Sequence, residues 1–131
     1  MKKIILGTVQ FGMDYGVNNN DGKPSFENLK EILNFSHDNG IRILDTAEAY
    51  GNSHERIGKY HLLDDKRKFK IITKFSPKRY DLPKDIIKRV EKNINVLNVR
   101  NIYCYMFHSY SDFKSFYLLN KSKLTYLKNK N

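Results

Sequence analysis

Apolar residues in this chain follow two alternating patterns. Short, largely apolar runs occur at 4–6, 41–44, 68–75 and 102–107. Runs of this length, rich in β-branched and aromatic residues, are typical of strands covered on both faces. Between the runs, apolar residues recur every three or four positions, which predicts amphipathic helices.

The clearest helix is predicted over 24–40, in the segment PSFENLKEILNFSHDNG. Ser25 is suited to cap its N terminus, and Gly40 can end it in the left-handed conformation. Its inward face is expected to carry Phe26, Leu29, Ile32 and Leu33.

Three further helices are less sharply bounded. A brief one is expected from Ser53, as the cap, through about Tyr60, with Ile57 facing inward. The next is predicted to begin near Pro83, because proline is suited to a first helical turn. Its apolar stripe comprises Ile86, Ile87, Val90, Ile94 and Leu97. From about Asp112 a looser helical pattern comprises Phe113, Phe116, Leu119, Leu124 and Leu127.

Four successive strand–helix units indicate an α/β fold with parallel strands. Both a doubly wound sheet and a (β/α)8 barrel fit that alternation. The glycine-rich turn G-x-G-x-x-G, which binds dinucleotides in doubly wound sheets, does not follow the first strand. The sequence therefore favours a partial (β/α)8 TIM barrel of about four units.

Composition narrows the class of protein. The chain has 131 residues, 40% of them hydrophobic and 13% aromatic, which predicts one folded domain or part of one. No apolar run approaches the length of a membrane span, and the N terminus lacks the apolar core of a secretion signal. Cys104 is the only cysteine, so an internal disulfide is excluded and a reducing cytoplasm is expected.

The formal net charge of +10 raises the possibility of nucleic-acid binding. However, the basic residues are spread along the chain, are mostly lysine, and alternate with acids. This arrangement lacks the arginine clusters that recognise phosphates and bases. Solvated lysine-rich faces are the favoured interpretation, and no nucleic-acid partner is predicted.

Polar residues end three of the predicted strands. Asp45 follows the second strand, with Tyr50 in the loop after it; Lys74 ends the third strand, and His108 follows the fourth. In parallel α/β folds the carboxyl ends of the strands meet at one rim, where catalytic groups collect. The four side chains are therefore expected to lie together.

These four groups suit proton donation to a carbonyl oxygen. A free tyrosine has a pKa of about 10, and a nearby ammonium makes the phenol a better acid by stabilising the phenolate. A carboxylate keeps the lysine charged and in position, while an imidazole can orient the carbonyl. Together they would stabilise the alkoxide that forms when a hydride reaches the carbonyl carbon.

The sequence resembles the aldo-keto reductase family. The segment LGTVQFG at 6–12 is similar to the family's first-strand motif, and DTAEAYGNS at 45–53 to its signature around the catalytic Asp and Tyr. ITKF at 72–75 resembles the segment that carries its Lys, and YMFHS at 105–109 the strand that carries its His. The resemblance implies a barrel enzyme that reduces small-molecule carbonyls with NADPH or NADH.

The resemblance also implies residue roles. Tyr50 would be the general acid, Lys74 would tune it, Asp45 would pair with Lys74, and His108 would orient the substrate. Thr8 and Asp45 match positions near the nicotinamide end of the cofactor.

Two positions depart from the family pattern. His54 stands where the family usually has Glu, and Tyr103 stands where it often has Asp. Neither belongs to the proton-transfer set. His37, His54 and His61 show no metal-ligand spacing, so no metal site is predicted and these side chains are expected to be solvated.

A complete barrel of this kind takes roughly 250 residues. Residues 1–131 are therefore expected to be a truncated, N-terminal half of an aldo-keto reductase domain, without the part that binds the cofactor phosphates. An arc of four strands leaves open sheet edges, so the chain is expected to pair with a second copy, to pair with another polypeptide, or to be marginally stable and prone to aggregation. The alternative to an active reductase is a catalytically inactive truncated fragment, or a half-barrel that needs a partner chain.

Overall fold

The computed structural model describes residues 4–77, 79 and 81–130. The strands are β1 (Leu6–Gly7), β2 (Ile43–Asp45), β3 (Lys70–Phe75) and β4 (Cys104–Phe107). The helices are α1 (Val9–Gly12), α2 (Phe26–Asp38), α3 (Ser53–His61), α4 (Ile86–Leu97) and α5 (Tyr110–Lys130), with a 3-10 turn at Asp65–Arg67.

The strands form one parallel sheet in the order β1-β2-β3-β4. Their register aligns Gly7, Asp45, Ile72 and Cys104 in one row across the sheet. Parallel strands that alternate with helices confirm the expected α/β fold, an arc of a (β/α)8 barrel.

The core lies between the sheet and its helices. In β3, Ile71, Thr73 and Phe75 are buried, whereas Ile72 and Lys74 between them are half-buried. This alternation of side chains separates a helix-covered face from an inner face. The apolar residues on the covered side that have no exposed surface are Leu29, Leu33, Leu44, Ile57, Ile71 and Leu97.

Helix boundaries agree in part with the sequence pattern. The Ser25 side chain accepts a hydrogen bond from the Asn28 amide (3.1 Å), and Gly40 has a φ of +83°, so both predicted ends of α2 are confirmed. Helix α4 instead begins at Ile86 with Asp85 as its cap, and Pro83 precedes it. The predicted cap at Ser53 is also wrong, because this hydroxyl is buried and donates to the Thr8 carbonyl (3.1 Å).

The N-terminal edge of the sheet differs most from its prediction. Strand β1 covers only Leu6–Gly7, and Ile4 and Ile5 are about half exposed. The sequence predicts a strand over 4–6, but β1 pairs only with β2, so fewer backbone hydrogen bonds extend it. Helix α1 follows directly, and it is not among the helices predicted from the sequence. Ile32, expected to face inward, is 39% exposed.

Two histidines expected to be solvated are buried. His61 is 1% exposed; its Nε2 accepts from the Phe69 amide (3.1 Å), which leaves Nδ1 to donate to the Leu97 carbonyl (2.8 Å). His54 is 7% exposed, and its Nε2 lies 2.9 Å from the Thr73 hydroxyl. The prediction is wrong for both because they lie on the side of α3 that packs inward. Burial lowers the pKa of each ring.

No helix in the described ranges is both long and apolar enough to cross a lipid bilayer.

Replacing Gly58 by alanine should destabilise the fold. A Cβ at this position in α3 would lie 1.8 Å from the Val96 carbonyl oxygen of α4, so the two helices would have to separate. We expect Gly58→Ala to lower the free energy of unfolding by about 2–3 kcal/mol in urea titrations. Gly7→Ala is the matched control, since its Cβ would meet nothing within 4 Å. Equal stability of the two variants would contradict the close helix contact.

Acid should destabilise the protein through His54. Burial, and secondarily Arg79, lowers the pKa of this ring from 6.5 to about 4, against the opposing effect of Glu48. The unfolded chain therefore binds a proton at a higher pH than the folded chain does. Stability is kept above pH 6.5 and lost as the pH falls toward 4. This single group accounts for a loss of roughly 3 kcal/mol.

The variant His54→Gln provides the comparison, because an amide can still bond to Thr73 but does not titrate. We expect the wild type to lose more of its unfolding free energy than His54→Gln does when the pH falls from 7 to 4. Parallel pH curves for the two proteins would refute this assignment.

Candidate active site

The carboxyl ends of the strands are joined by hydrogen bonds that continue the sheet beyond its last residues. The Thr8 amide donates to the Asp45 carbonyl (3.0 Å), and the Glu48 amide donates to the Lys74 carbonyl (3.1 Å). The His108 amide donates to the Phe75 carbonyl (3.1 Å). These bonds bring the residues that follow each strand to one rim.

Lys74 and Asp45 form an ion pair at this rim. The Lys74 ammonium contacts Asp45 Oδ1 and donates to the Thr46 carbonyl (3.0 Å). The Lys74 side chain is 16% exposed and that of Asp45 is 35% exposed. The pair is thus partly shielded from water, which strengthens the attraction between its charges.

Tyr50 lies beside this ion pair. The Lys74 ammonium is 5.2 Å from the centre of the Tyr50 ring, within cation–π distance. The ring of His108 meets that of Tyr50 edge-on, with centroids 6.1 Å apart and planes at 82°. The four residues predicted from the sequence therefore lie together, with Tyr50 in contact with both Lys74 and His108.

The turn after Tyr50 depends on a glycine. Gly51 has a φ of +53°, and a Cβ there would lie 2.2 Å from the Gly12 carbonyl oxygen. A side chain at this position would push the loop away from α1. Glycine therefore lets the Tyr50 loop pack directly on the backbone that follows β1.

An open cleft lies over Tyr50 and His108, with a volume of about 280 Å³. Its other lining residues are Val9, Met13, Tyr15 and Ala49. This combination of apolar side chains with a phenol and an imidazole suits a small organic molecule that carries one polar group.

Thr8 supports the rim from behind. It is fully buried; its hydroxyl donates to the Asp45 carbonyl (3.0 Å) and lies 3.2 Å from Ser53 Oγ. Neither its side chain nor its backbone is therefore exposed to a cofactor. The role of Thr8 in cofactor binding stays a prediction.

A second carboxylate in the same loop was not singled out from the sequence. Glu48 is 1% exposed and lies between the sheet and α4. It accepts hydrogen bonds from Arg89 Nη2 (2.7 Å), Asn93 Nδ2 (2.7 Å), the Tyr105 hydroxyl (2.7 Å) and the Ser76 amide (2.8 Å). Burial, the charge of Glu48 and the hydrogen bond to it raise the pKa of Tyr105, so this phenol stays protonated.

A signal for this cluster was present in the sequence. Arg89 and Asn93 are four residues apart and lie within the apolar stripe of α4, where an unpaired charge would be unfavourable. Such residues require a buried partner of opposite charge. Identifying Glu48 as that partner requires the tertiary structure, because the two charges are far apart in sequence.

No group of three or more His, Cys, Asp or Glu side chains within the described ranges could hold a metal ion.

Comparison with known proteins adds independent information. A sequence model of the aldo/keto reductase family matches residues 3–118. No curated protein matches the sequence significantly. Among solved structures, a Pseudomonas aeruginosa protein described as an aldo-keto reductase superposes with a TM-score of 0.66 at 26% identity. The alignment covers 92% of this chain and 51% of that one, so the chain spans about half the length of this relative.

Two more distant structures share the fold. One is an aldo/keto reductase from Klebsiella pneumoniae, solved with NADP and acetate (TM-score 0.56, 20% identity, 79% of this chain and 34% of that one). The other is an aldo-keto reductase from Bacillus halodurans (TM-score 0.56, 18% identity, 91% and 42%). Since the family match covers most of the chain and the fold agrees with it, the protein belongs to the aldo-keto reductase family.

Proposed function

We propose that this chain carries the proton-donating half of a carbonyl reductase that uses NADPH or NADH. The observation that supports it is the contact of Tyr50 with a lysine that is itself paired to Asp45 at the rim. Family membership supports oxidoreductase chemistry in general. The substrate class proposed is aldehydes and ketones, which would be reduced to alcohols in a reducing cytoplasm.

The rim has room for the reactive end of such a cofactor. A Cβ at Gly7 would meet no atom within 4 Å, so the inner face beside Asp45 is open. Asp45 and the backbone near Thr8 would border a nicotinamide there. A bound reduced nicotinamide would supply a hydride to the carbonyl carbon. The Klebsiella reductase was solved with NADP, which supports this choice of cofactor by analogy.

The chain's own residues would supply the proton. Tyr50 would donate its phenolic proton to the carbonyl oxygen, giving the alcohol and leaving a phenolate. The Lys74 ammonium beside the ring would stabilise that phenolate. Asp45 would keep Lys74 in place through their ion pair. Such general acid catalysis typically contributes about 10²–10⁴-fold to the rate.

His108 and the cleft would position the substrate. His108 lies against the Tyr50 ring, so we propose that a carbonyl oxygen that accepts the Tyr50 proton would also lie near the imidazole. The apolar lining residues Val9 and Met13 would hold the carbon part of the molecule. An imidazole that donates to the same oxygen would share the developing negative charge.

Removing the Tyr50 hydroxyl should abolish proton transfer without preventing cofactor binding. We expect Tyr50→Phe to lower the rate of aldehyde reduction by about 10²–10⁴-fold, measured by loss of NADPH absorbance. The affinity for NADPH, measured by fluorescence, should be unchanged. Tyr103→Phe is the control, because Tyr103 precedes β4 at the opposite end of that strand.

The proposal fails if the wild-type chain binds no NADPH at millimolar concentration and reduces no aldehyde. It also fails if Tyr50→Phe and Tyr103→Phe retain equal activity.

We propose as the second candidate that the chain is a catalytically inactive half-barrel until a further polypeptide, a second copy or a complementing chain, covers its inner face. In the described sheet, β1 and β4 each pair with one strand only. Met106, aligned with Lys74 on the inner face, is 37% exposed. Open edges and an uncovered apolar face favour association.

Light scattering at several protein concentrations tests this second candidate. We expect a mass above that of one chain, which Met106→Lys should reduce to one chain by placing a charge on the inner face. Leu118→Lys is the control, since Leu118 lies on α5 and is already 78% exposed. A wild-type monomer at all concentrations, with no complementing partner, would count against it.

A further inference from the structure

We propose that Glu48, held by Arg89, is a positioning residue that fixes the Tyr50 loop against the end of β3. Its relevance to catalysis rests on the proposed function, but its effect on geometry does not. Glu48 does not touch the cleft, and it would act through the backbone that carries Tyr50 and Lys74.

Backbone hydrogen bonds supply the first part of the attachment. The Thr46 amide donates to the Ile72 carbonyl (2.9 Å), and the Glu48 amide donates to the Lys74 carbonyl (3.1 Å). The loop from Asp45 therefore continues alongside β3, although no strand is formed there. The last of these bonds is two residues before Tyr50.

The Glu48 side chain supplies the second part. It accepts from the Ser76 amide (2.8 Å), two residues beyond Lys74. Glu48 is thus hydrogen-bonded to the backbone on both sides of Phe75. Its amide donates to the Lys74 carbonyl, and its carboxylate accepts from the Ser76 amide. Because Lys74 and Tyr50 lie on these two segments, their separation depends on this double contact.

Arg89 keeps the carboxylate in that orientation. Its Nε donates to Glu48 Oε1 (3.1 Å) and its Nη2 to Oε2 (2.7 Å), and Nη2 also donates to the Ser76 carbonyl. The guanidinium is 4.6 Å from the centre of the Phe75 ring and 3% exposed. One arginine therefore binds the loop carboxylate and the β3 terminus together, a bidentate geometry that lysine could not provide.

The two carboxylates of the loop have different tasks. Asp45 lies on the inner face, contacts the Lys74 ammonium and is partly exposed. Glu48 lies on the helix-covered face and is buried, and both of its carboxylate oxygens accept hydrogen bonds. Only Asp45 has a place in the proton chemistry, while Glu48 sets where the phenol and the ammonium meet.

Exchange of the buried pair for apolar residues separates positioning from stability. Glu48→Met combined with Arg89→Met removes both charges and keeps the volume, a change that buried ion pairs often tolerate. The readout is the set of NMR cross-peaks between the Tyr50 ring and the Lys74 ε-methylene in the full chain without cofactor. We expect these cross-peaks in wild type and their loss in the double variant, with cooperative unfolding retained.

Glu48→Gln is the second variant, in case the double variant does not fold. Its amide keeps the shape but has one acceptor oxygen, so we expect weaker Tyr50–Lys74 cross-peaks in a folded protein. Gly58→Ala is the control: it should lower stability while the cross-peaks persist. This control excludes a general loss of structure as the cause.

Full cross-peaks in a folded Glu48→Gln or double variant overturn the proposal, as does their loss in Gly58→Ala. A preparation that reduces aldehydes adds a kinetic test, with kcat expected to fall about 100-fold in Glu48→Gln and KM little changed. Failure of NADPH binding would refute the proposed function but leave the NMR result valid.

Discussion

The buried ion pair of Glu48 and Arg89 is the constraint on which the rim depends. Removing two charges from water costs several kcal/mol for each ion, and this is offset only when every donor and acceptor finds a partner. Here the partners come from β3, β4 and α4, and no buried side-chain polar atom in the described ranges lacks a hydrogen bond. Loop, sheet and helix must therefore dock together.

The parallel register of the strands then determines which polar side chains meet at the rim. Asp45 aligns with Ile72, so Lys74 lies one inward-facing position farther along β3 and can reach back to the carboxylate. His108 follows β4 and is held by the Phe75 carbonyl. The sheet thus sets where Asp45, Lys74 and His108 leave the strands, and the ion pair of Lys74 with Asp45 joins two of them directly. The site can keep its shape before any ligand binds.

The same sheet separates two properties of this chain. One is the geometry of the rim residues, and the other is the ability of the chain to catalyse a reaction without a partner. The chain spans about half the length of the Pseudomonas relative, and its four described strands form an arc with an inner face lined partly by apolar side chains. Helices cover the other face and provide a core that is fully buried at many positions. Packing on one side can therefore hold the rim residues together while the inner face remains open.

Sequence patterns alone were enough to predict the order of the four strands and of helices α2 to α5, the parallel α/β class and the convergence of Asp45, Tyr50, Lys74 and His108. These follow from apolar periodicity, which is local in sequence, and from the general rule that parallel strands end at one rim. The folded chain was needed to reveal the short β1, helix α1, the burial of His54 and His61, and the pairing of Glu48 with Arg89. Those depend on which surfaces meet, and a charge in a helical stripe does not reveal its partner when the two are distant in the chain.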